Sequence, residues 1–154
     1  MRGFWMLVHF LGFTLWIGGG LATMVAGVAS KGFAAAERLR VYRATSAIQR
    51  LLVGPGAAGV VISGVMLVLG GPYMHGQSGM MPGWLSAMMG AGILGALVAI
   101  IVSVPTAGRL GRLEPTARGE LPDSFAGLRK RQVISATIAG TLGLLALFAG
   151  TLGP

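Results

Sequence analysis

The sequence contains no cysteine, and it has only four acidic residues against twelve Lys and Arg. Without cysteine, disulfides, thiolate zinc sites and thiol catalysis are excluded. All four acids lie in segments 31–50 and 109–131, which also hold eleven of the twelve basic residues, whereas both histidines lie elsewhere. A site that combines serine, histidine and an acid is therefore disfavoured, and no catalytic residue is assigned.

Charge is also missing from three long stretches, which cover residues 3–30, 51–108 and 132–154. The middle stretch is interrupted by the turn-forming sequence GGPYMHGQSGMMPGW at 70–84. A span needs about 20 apolar residues, and 54% of the chain is hydrophobic with a mean hydropathy of +0.77. The sequence therefore predicts a single all-α domain over residues 1–154, a polytopic four-transmembrane-helix bundle with helices at about 3–30, 51–70, 83–106 and 132–152.

The net charge of +8 is confined to the two basic segments, which is a loop pattern and not a nucleic-acid-binding stripe. The positive-inside rule assigns both segments to the cytoplasm. We therefore predict a bacterial inner-membrane protein with its N-terminus, its 71–83 loop and its C-terminus on the outer side. The predicted partners are the lipid bilayer and other membrane subunits or a second copy of the chain, with no nucleic acid. Residues 34–52 predict a helix that either lies at the inner surface or extends helix 2.

The uncharged spans exclude a carboxylate relay, so secondary transport is disfavoured. Small residues recur at fourfold spacing in several helices, which is typical of close helix packing in lipid. Gly18, Gly19 and Gly20 are predicted to form packing surface, with close approach to a flat cofactor as the alternative.

His9 is the strongest candidate for a functional residue, because it is an ionisable residue inside an uncharged span. It shares a helix face with Gly12, Trp16 and Gly20, so we expect it to face the bundle interior. Two roles stay open. The ring is either a cofactor or metal ligand, or it ties helix 1 to a carbonyl or hydroxyl of another helix.

Methionines form the second candidate set. The predicted topology places most of them near the outer face, and the loop 73–81 holds Met74, His75, Met80 and Met81. Thioether and imidazole groups together suit Cu(I), so these four residues and His9 are the predicted metal ligands. The alternative is that the methionines fill apolar gaps.

The stretch LVHFLGFTLWIGGGL at 7–21 resembles the first helix of the copper-resistance D (CopD) domain and its bacterial relatives, in which a histidine precedes Trp-x-Gly-Gly. RLLVGPGAAGVVISGVMLVLGG at 50–71 and the terminal FAGTLGP resemble the second and fourth helices of those relatives. More distantly, the first helix is similar to that of HemJ-type protoporphyrinogen oxidases. The resemblance implies a four-helix bundle in which His9, with Trp16, contacts haem b or copper.

HemJ-like proteins carry a Trp-Leu-His-Ala-Lys-like stretch in the third helix, where this chain has WLSAM at 84–88. Met88 stands in the lysine position, and the resemblance implies that it ligates haem opposite His9, since Met/His axial pairs exist. Three functions follow as expectations: a protein that binds or handles copper or haem near the outer face, a non-catalytic subunit of a larger membrane complex, and a divergent haem-dependent oxidase.

Overall fold

Four long helices make up almost all of the part of the chain that the structure describes. The computed structural model describes residues 1–71 and 81–153. The helices are α1 (Arg2–Gly32), α2 (Ala35–Leu69), α3 (Gly83–Leu110) and α4 (Ser124–Thr151), and all four are long and apolar enough to cross a membrane. No strand occurs in the described ranges. The predicted all-α bundle is therefore confirmed, and the chain is a membrane protein.

Large apolar side chains point outward from every helix, while the interior is built mainly from small residues. Phe10, Ile62, Leu94 and Phe148 are exposed, one on each helix. The central core instead contains several alanines grouped around Trp16. This distribution suits a bilayer, because large side chains gain little by leaving lipid for one another, whereas small ones let backbones approach closely.

The bundle consists of two helix pairs, because α1 packs mainly on α2 and α3 mainly on α4. The backbones of α1 and α2 cross at Gly12 and Gly56, where a Cβ on either residue would lie 2.8 Å from the carbonyl oxygen of the other. The glycine triplet behaves differently from the packing prediction. Only Gly19 packs on α2, whereas a Cβ on Gly18 or Gly20 would meet nothing within 4 Å.

Helices α2 and α3 each contain one π-helical segment, Gln49–Val53 in α2 and Ala99–Ser103 in α3. In each segment the closing amide donates to a carbonyl five residues earlier, from Gly54 to Gln49 and from Val104 to Ala99. A proline follows directly, at positions 55 and 105. Proline has no N–H and crowds the preceding turn, so a widened turn accommodates it.

The basic end of the bundle has a second hydrophobic cluster, which we call the basic-end cluster: Leu39, Tyr42, Leu110 and Phe125. Arg38 lies over the Phe125 ring at 5.0 Å, and the Tyr42 and Phe125 rings meet edge to face at 5.2 Å.

The helix bounds differ from the predicted ones in α2 and α4. Because α2 is continuous over Ala35–Leu69, the 34–52 segment extends helix 2, which was one of the two predicted arrangements. Helix α4 begins at Ser124, earlier than the predicted 132, because the basic residues before the apolar run are helical too.

Candidate functional site

The imidazole of His9 is tied to α2. Its Nδ1 lies 3.0 Å from the Ser63 hydroxyl oxygen and 3.1 Å from the Val60 carbonyl oxygen. Ser63 is fully buried and itself donates to the carbonyls of Gly59 and Val60. The structure therefore shows the interhelical tie that the sequence analysis left open. Both of these hydrogen bonds use Nδ1.

His9 also lines a small cavity of about 40 Å³ together with Met88 and Met89 of α3. The imidazole and two methionines of α3 therefore border the same small cavity. Met6, Met66 and Met81 are exposed on the surface of the bundle. The predicted loop ligands Met74, His75 and Met80 lie outside the described residues.

The acidic and histidine side chains that the structure describes form no metal-binding group. Within residues 1–71 and 81–153, no three His, Cys, Asp or Glu side chains form a group that could hold a metal ion. The thioethers of Met88 and Met89, which share the small cavity with His9, are soft ligands of the kind that suit Cu(I).

Trp16 does not line the small cavity, although Phe13 connects its ring to that of His9. Phe13 meets the His9 ring edge to face at 5.3 Å and stacks on Trp16 at 6.0 Å. Phe13 lines the small cavity, whereas Trp16 lines a second and much larger one. The residues that the resemblance grouped around one cofactor are therefore divided between two cavities.

The large cavity, which we call the lateral cavity, has a volume of about 490 Å³. Its sides come from α1 and α4, which make far fewer contacts with each other than with their own pair partners. Its back wall comes from the π segments, through Gln49 and Val53 of α2 and Ala99 and Ser103 of α3. Most of the lining residues exposed at its rim are apolar and lie on the two side helices, namely Leu21, Met24, Val28, Val133 and Leu144, and the polar ones are Lys31, Thr137 and Thr141.

Glycine and alanine account for the room between the side helices. Gly20 on α1 and Gly140 on α4 line the cavity, and a Cβ on either would meet nothing within 4 Å. Ala136, one turn before Gly140, also lines it. Gly20, Ala136 and Gly140 therefore face an open space, whereas the sequence predicted packing surface for Gly20 and helix contact for the fourfold spacing of Ala136 and Gly140.

Two glutamines carry the polar chemistry of the cavity wall. Gln49, which is 1% exposed, donates from Nε2 to the Thr23 hydroxyl at 3.1 Å. Gln132 of α4 donates from Nε2 to the Ser103 hydroxyl at 2.9 Å. The Oε1 atoms of both glutamines are buried and have no hydrogen-bond partner among the described residues. A buried acceptor without a partner costs about 1–3 kcal/mol, so a wall with two of them suits a ligand or water that can donate.

The end of the lateral cavity nearest the basic-end cluster is positively charged. Lys31, Tyr42 and Arg129 line it, and Arg129 Nε donates to the Tyr42 hydroxyl at 3.1 Å. The cavity thus changes character along its length, from Trp16 and Ile17 at one end to two cations at the other. This gradient matches an elongated molecule with an apolar body and a polar end.

Comparison with known proteins gives no family for this chain. No family model, curated protein or solved structure matches it. The resemblance to CopD and HemJ proteins therefore stays a prediction from the helix motifs.

Sequence reasoning missed the lateral cavity. The proline positions carried a usable signal, because Gly54-Pro55 and Val104-Pro105 mark equivalent levels in α2 and α3. A further signal was the pair of glutamines, Gln49 and Gln132, which stand at the boundary between basic and apolar sequence. Neither signal shows that these residues of different helices border one cavity, which only the packing of the helix pairs reveals.

Proposed function

We propose that this protein is an integral membrane protein that binds an amphipathic small molecule, which reaches the lateral cavity from the bilayer between α1 and α4. The observation that carries the proposal is the lateral cavity of about 490 Å³ with mostly apolar rims on two helices that make few contacts with each other. Ligand pockets span about 300–1,000 Å³ and are mostly apolar with a few placed polar groups. The glutamines and hydroxyls of the back wall supply those polar groups.

The proposal includes a bacterial inner-membrane location with both termini on the outer side. Eleven of the twelve basic residues lie in segments 31–50 and 109–131, and the positive-inside rule favours a cytoplasmic position for such residues. The lateral cavity then lies in the inner half of the bilayer. Reporter fusions at Ala117 and at the C-terminus test this, since a periplasmic signal at Ala117 would reverse the orientation.

Filling the lateral cavity should remove its ligand without unfolding the bundle. Leucine at Gly140 or at Gly20 would project into open space within the cavity. We expect lipid-soluble molecules extracted from detergent-purified protein to include one enriched over bulk lipid. Each leucine variant should retain it at least about tenfold less, which corresponds to about 1.4 kcal/mol of lost binding free energy. Mass spectrometry of the extracts measures this.

Gly90→Leu provides the matched control, because Gly90 lies on the exposed face of α3 and a Cβ there would meet nothing within 4 Å. This variant should retain the molecule as the unmodified protein does. The proposal is wrong if no molecule is enriched, or if the Gly140→Leu and Gly90→Leu proteins retain it equally. Co-purification of other membrane subunits with an empty bundle would instead support the role of a packing subunit.

A second candidate function is Cu(I) binding at His9. It is favoured by the shared cavity of His9, Met88 and Met89, and by the Nδ1 hydrogen bonds, because metal-binding imidazoles are usually held through their second nitrogen. A cavity of about 40 Å³ suits one ion and is far below the size of a ligand pocket. Haem binding through His9 and the haem-dependent oxidase stay predictions from the resemblance of the helix motifs.

Copper analysis of the purified protein tests this candidate. Met88→Leu nearly conserves volume and removes one thioether, so we expect Cu(I) affinity to fall at least about tenfold if Met88 is a ligand. His9→Ala should lower it too. Met66→Leu is the control, because Met66 is exposed on the outer surface of α2. Equal copper content in all three variants and the unmodified protein would contradict the proposal.

A further inference from the structure

We infer that the ligand of the lateral cavity is an anionic amphiphile, a molecule with an apolar chain and one carboxylate or phosphate head. This inference rests on the proposed function of the cavity and adds the chemistry of the head. Both charged residues in the cavity lining, Lys31 and Arg129, are cations, and none of the four acidic residues contributes to it. The charge of the lining is therefore uncompensated.

Two other cations of the basic end, Arg38 and Arg43, make their contacts outside the cavity. Arg43 forms a 2.7 Å ion pair with Glu114, and Arg38 lies over the Phe125 ring. Arg129 donates one of its N–H groups to the neutral Tyr42 hydroxyl. A guanidinium carries five donors in a planar fork, so this bond positions the group and leaves further donors for an anion.

The depth of the two cations also fits a head group. Lys31 lies in the last turn of α1, and Arg129 lies about one and a half turns from the start of α4, so both stand where the basic segments meet the apolar spans. Basic pockets between transmembrane helices at this level are suited to anionic lipid head groups. The apolar chain would then extend toward Trp16 and Ile17, and water molecules would donate to the two glutamine oxygens, which neither the chain nor an ionised head can pair.

A pair of probes that differ only in head charge tests the inference. Stearic acid with a nitroxide on its chain and the methyl ester of the same molecule are titrated against purified protein in an uncharged detergent. Electron paramagnetic resonance reports the immobilised, bound fraction. We expect the acid to bind at least about tenfold more tightly than the ester, because only the acid can form charge-assisted hydrogen bonds.

Charge-neutralising variants locate the effect. Arg129→Gln and Lys31→Gln should each weaken binding of the acid about three- to tenfold while leaving the ester unchanged. Lys31 is exposed at the end of α1, so its substitution keeps the test valid if Arg129→Gln does not fold. Lys130→Gln is the control, because Lys130 is exposed and does not line the cavity.

The outcomes separate this inference from the proposed function. Equal binding of acid and ester would refute anion recognition and leave the cavity proposal standing, whereas failure of both probes to bind would overturn both. Competition distinguishes the source of the anion. Dodecyl phosphate should displace the labelled acid, and inorganic phosphate at the same concentration should not. Equal displacement by the two phosphates would show that the apolar chain contributes nothing, which contradicts an amphiphile site.

Discussion

Replacement of Trp16 by alanine is expected to lower the free energy of unfolding by about 3–5 kcal/mol, the usual cost of truncating a buried large aromatic side chain. Trp16 is 2% exposed and reaches from α1 across to the other helix pair. A Cβ on Gly95 of α3 would lie 3.1 Å from its Cη2, and a Cβ on Gly143 of α4 would lie 3.5 Å away. The indole therefore joins the two pairs, and its loss removes packing that lipid cannot replace.

Trp5→Ala is the matched comparison, because Trp5 is only partly buried near the start of α1. Size-exclusion chromatography after stepwise heating in detergent measures the fraction of folded protein for both variants. The midpoint should fall much further for Trp16→Ala than for Trp5→Ala. Similar losses would show that the two helix pairs are held together by contacts other than the indole.

The second large effect is expected at the crossing of α1 and α2. In Gly56→Ala, the new methyl group would lie 2.8 Å from the Gly12 carbonyl oxygen and 2.8 Å from the Trp16 backbone nitrogen. Both are backbone atoms that cannot move without separating the helices. Overpacking of this kind costs about 1–3 kcal/mol or more, so the thermal midpoint measured by the same heating assay should fall.

Gly18→Ala is its control and should have the opposite sign. A Cβ there would meet nothing within 4 Å, and alanine is a better helix former than glycine by about 0.8–1.0 kcal/mol. The two variants make the same chemical change in transmembrane helices, so the difference between them isolates the close approach. A midpoint for Gly56→Ala equal to that of Gly18→Ala would contradict the crossing described above.

The four helices could be predicted because the length of each uncharged stretch can be counted from the sequence alone. The contacts could not, because the sequence shows which residues are small without showing which of them meet. Gly18, Gly19 and Gly20 stood out as a cluster, yet the closest backbone approach lies at the isolated Gly12 and at Gly56.

The candidate site was predictable in part. His9 could be singled out because it is an ionisable residue inside an uncharged span. The structure confirms one of its two predicted roles, the interhelical hydrogen bond. The lateral cavity lies between α1 and α4, which belong to different helix pairs, and the pairing is decided by long-range packing. Gln49 and Arg129 are 80 positions apart in the sequence. That both line one cavity can be seen only from the packing of α2 and α4.

The widened turns at Gln49–Val53 and Ala99–Ser103 have a geometric consequence for the whole bundle. An α-helix advances by about 100° per residue, so one additional residue in a turn shifts the angular phase of everything beyond it. The outer part of α2 can therefore direct Gly56 and Val60 at α1 while its inner part directs Gln49 at the lateral cavity. Deleting one residue from either π-helical segment would restore a regular α-helix and rotate one part of that helix relative to the other. Gln49 of α2 would then turn away from Thr23, or Ser103 of α3 from Gln132.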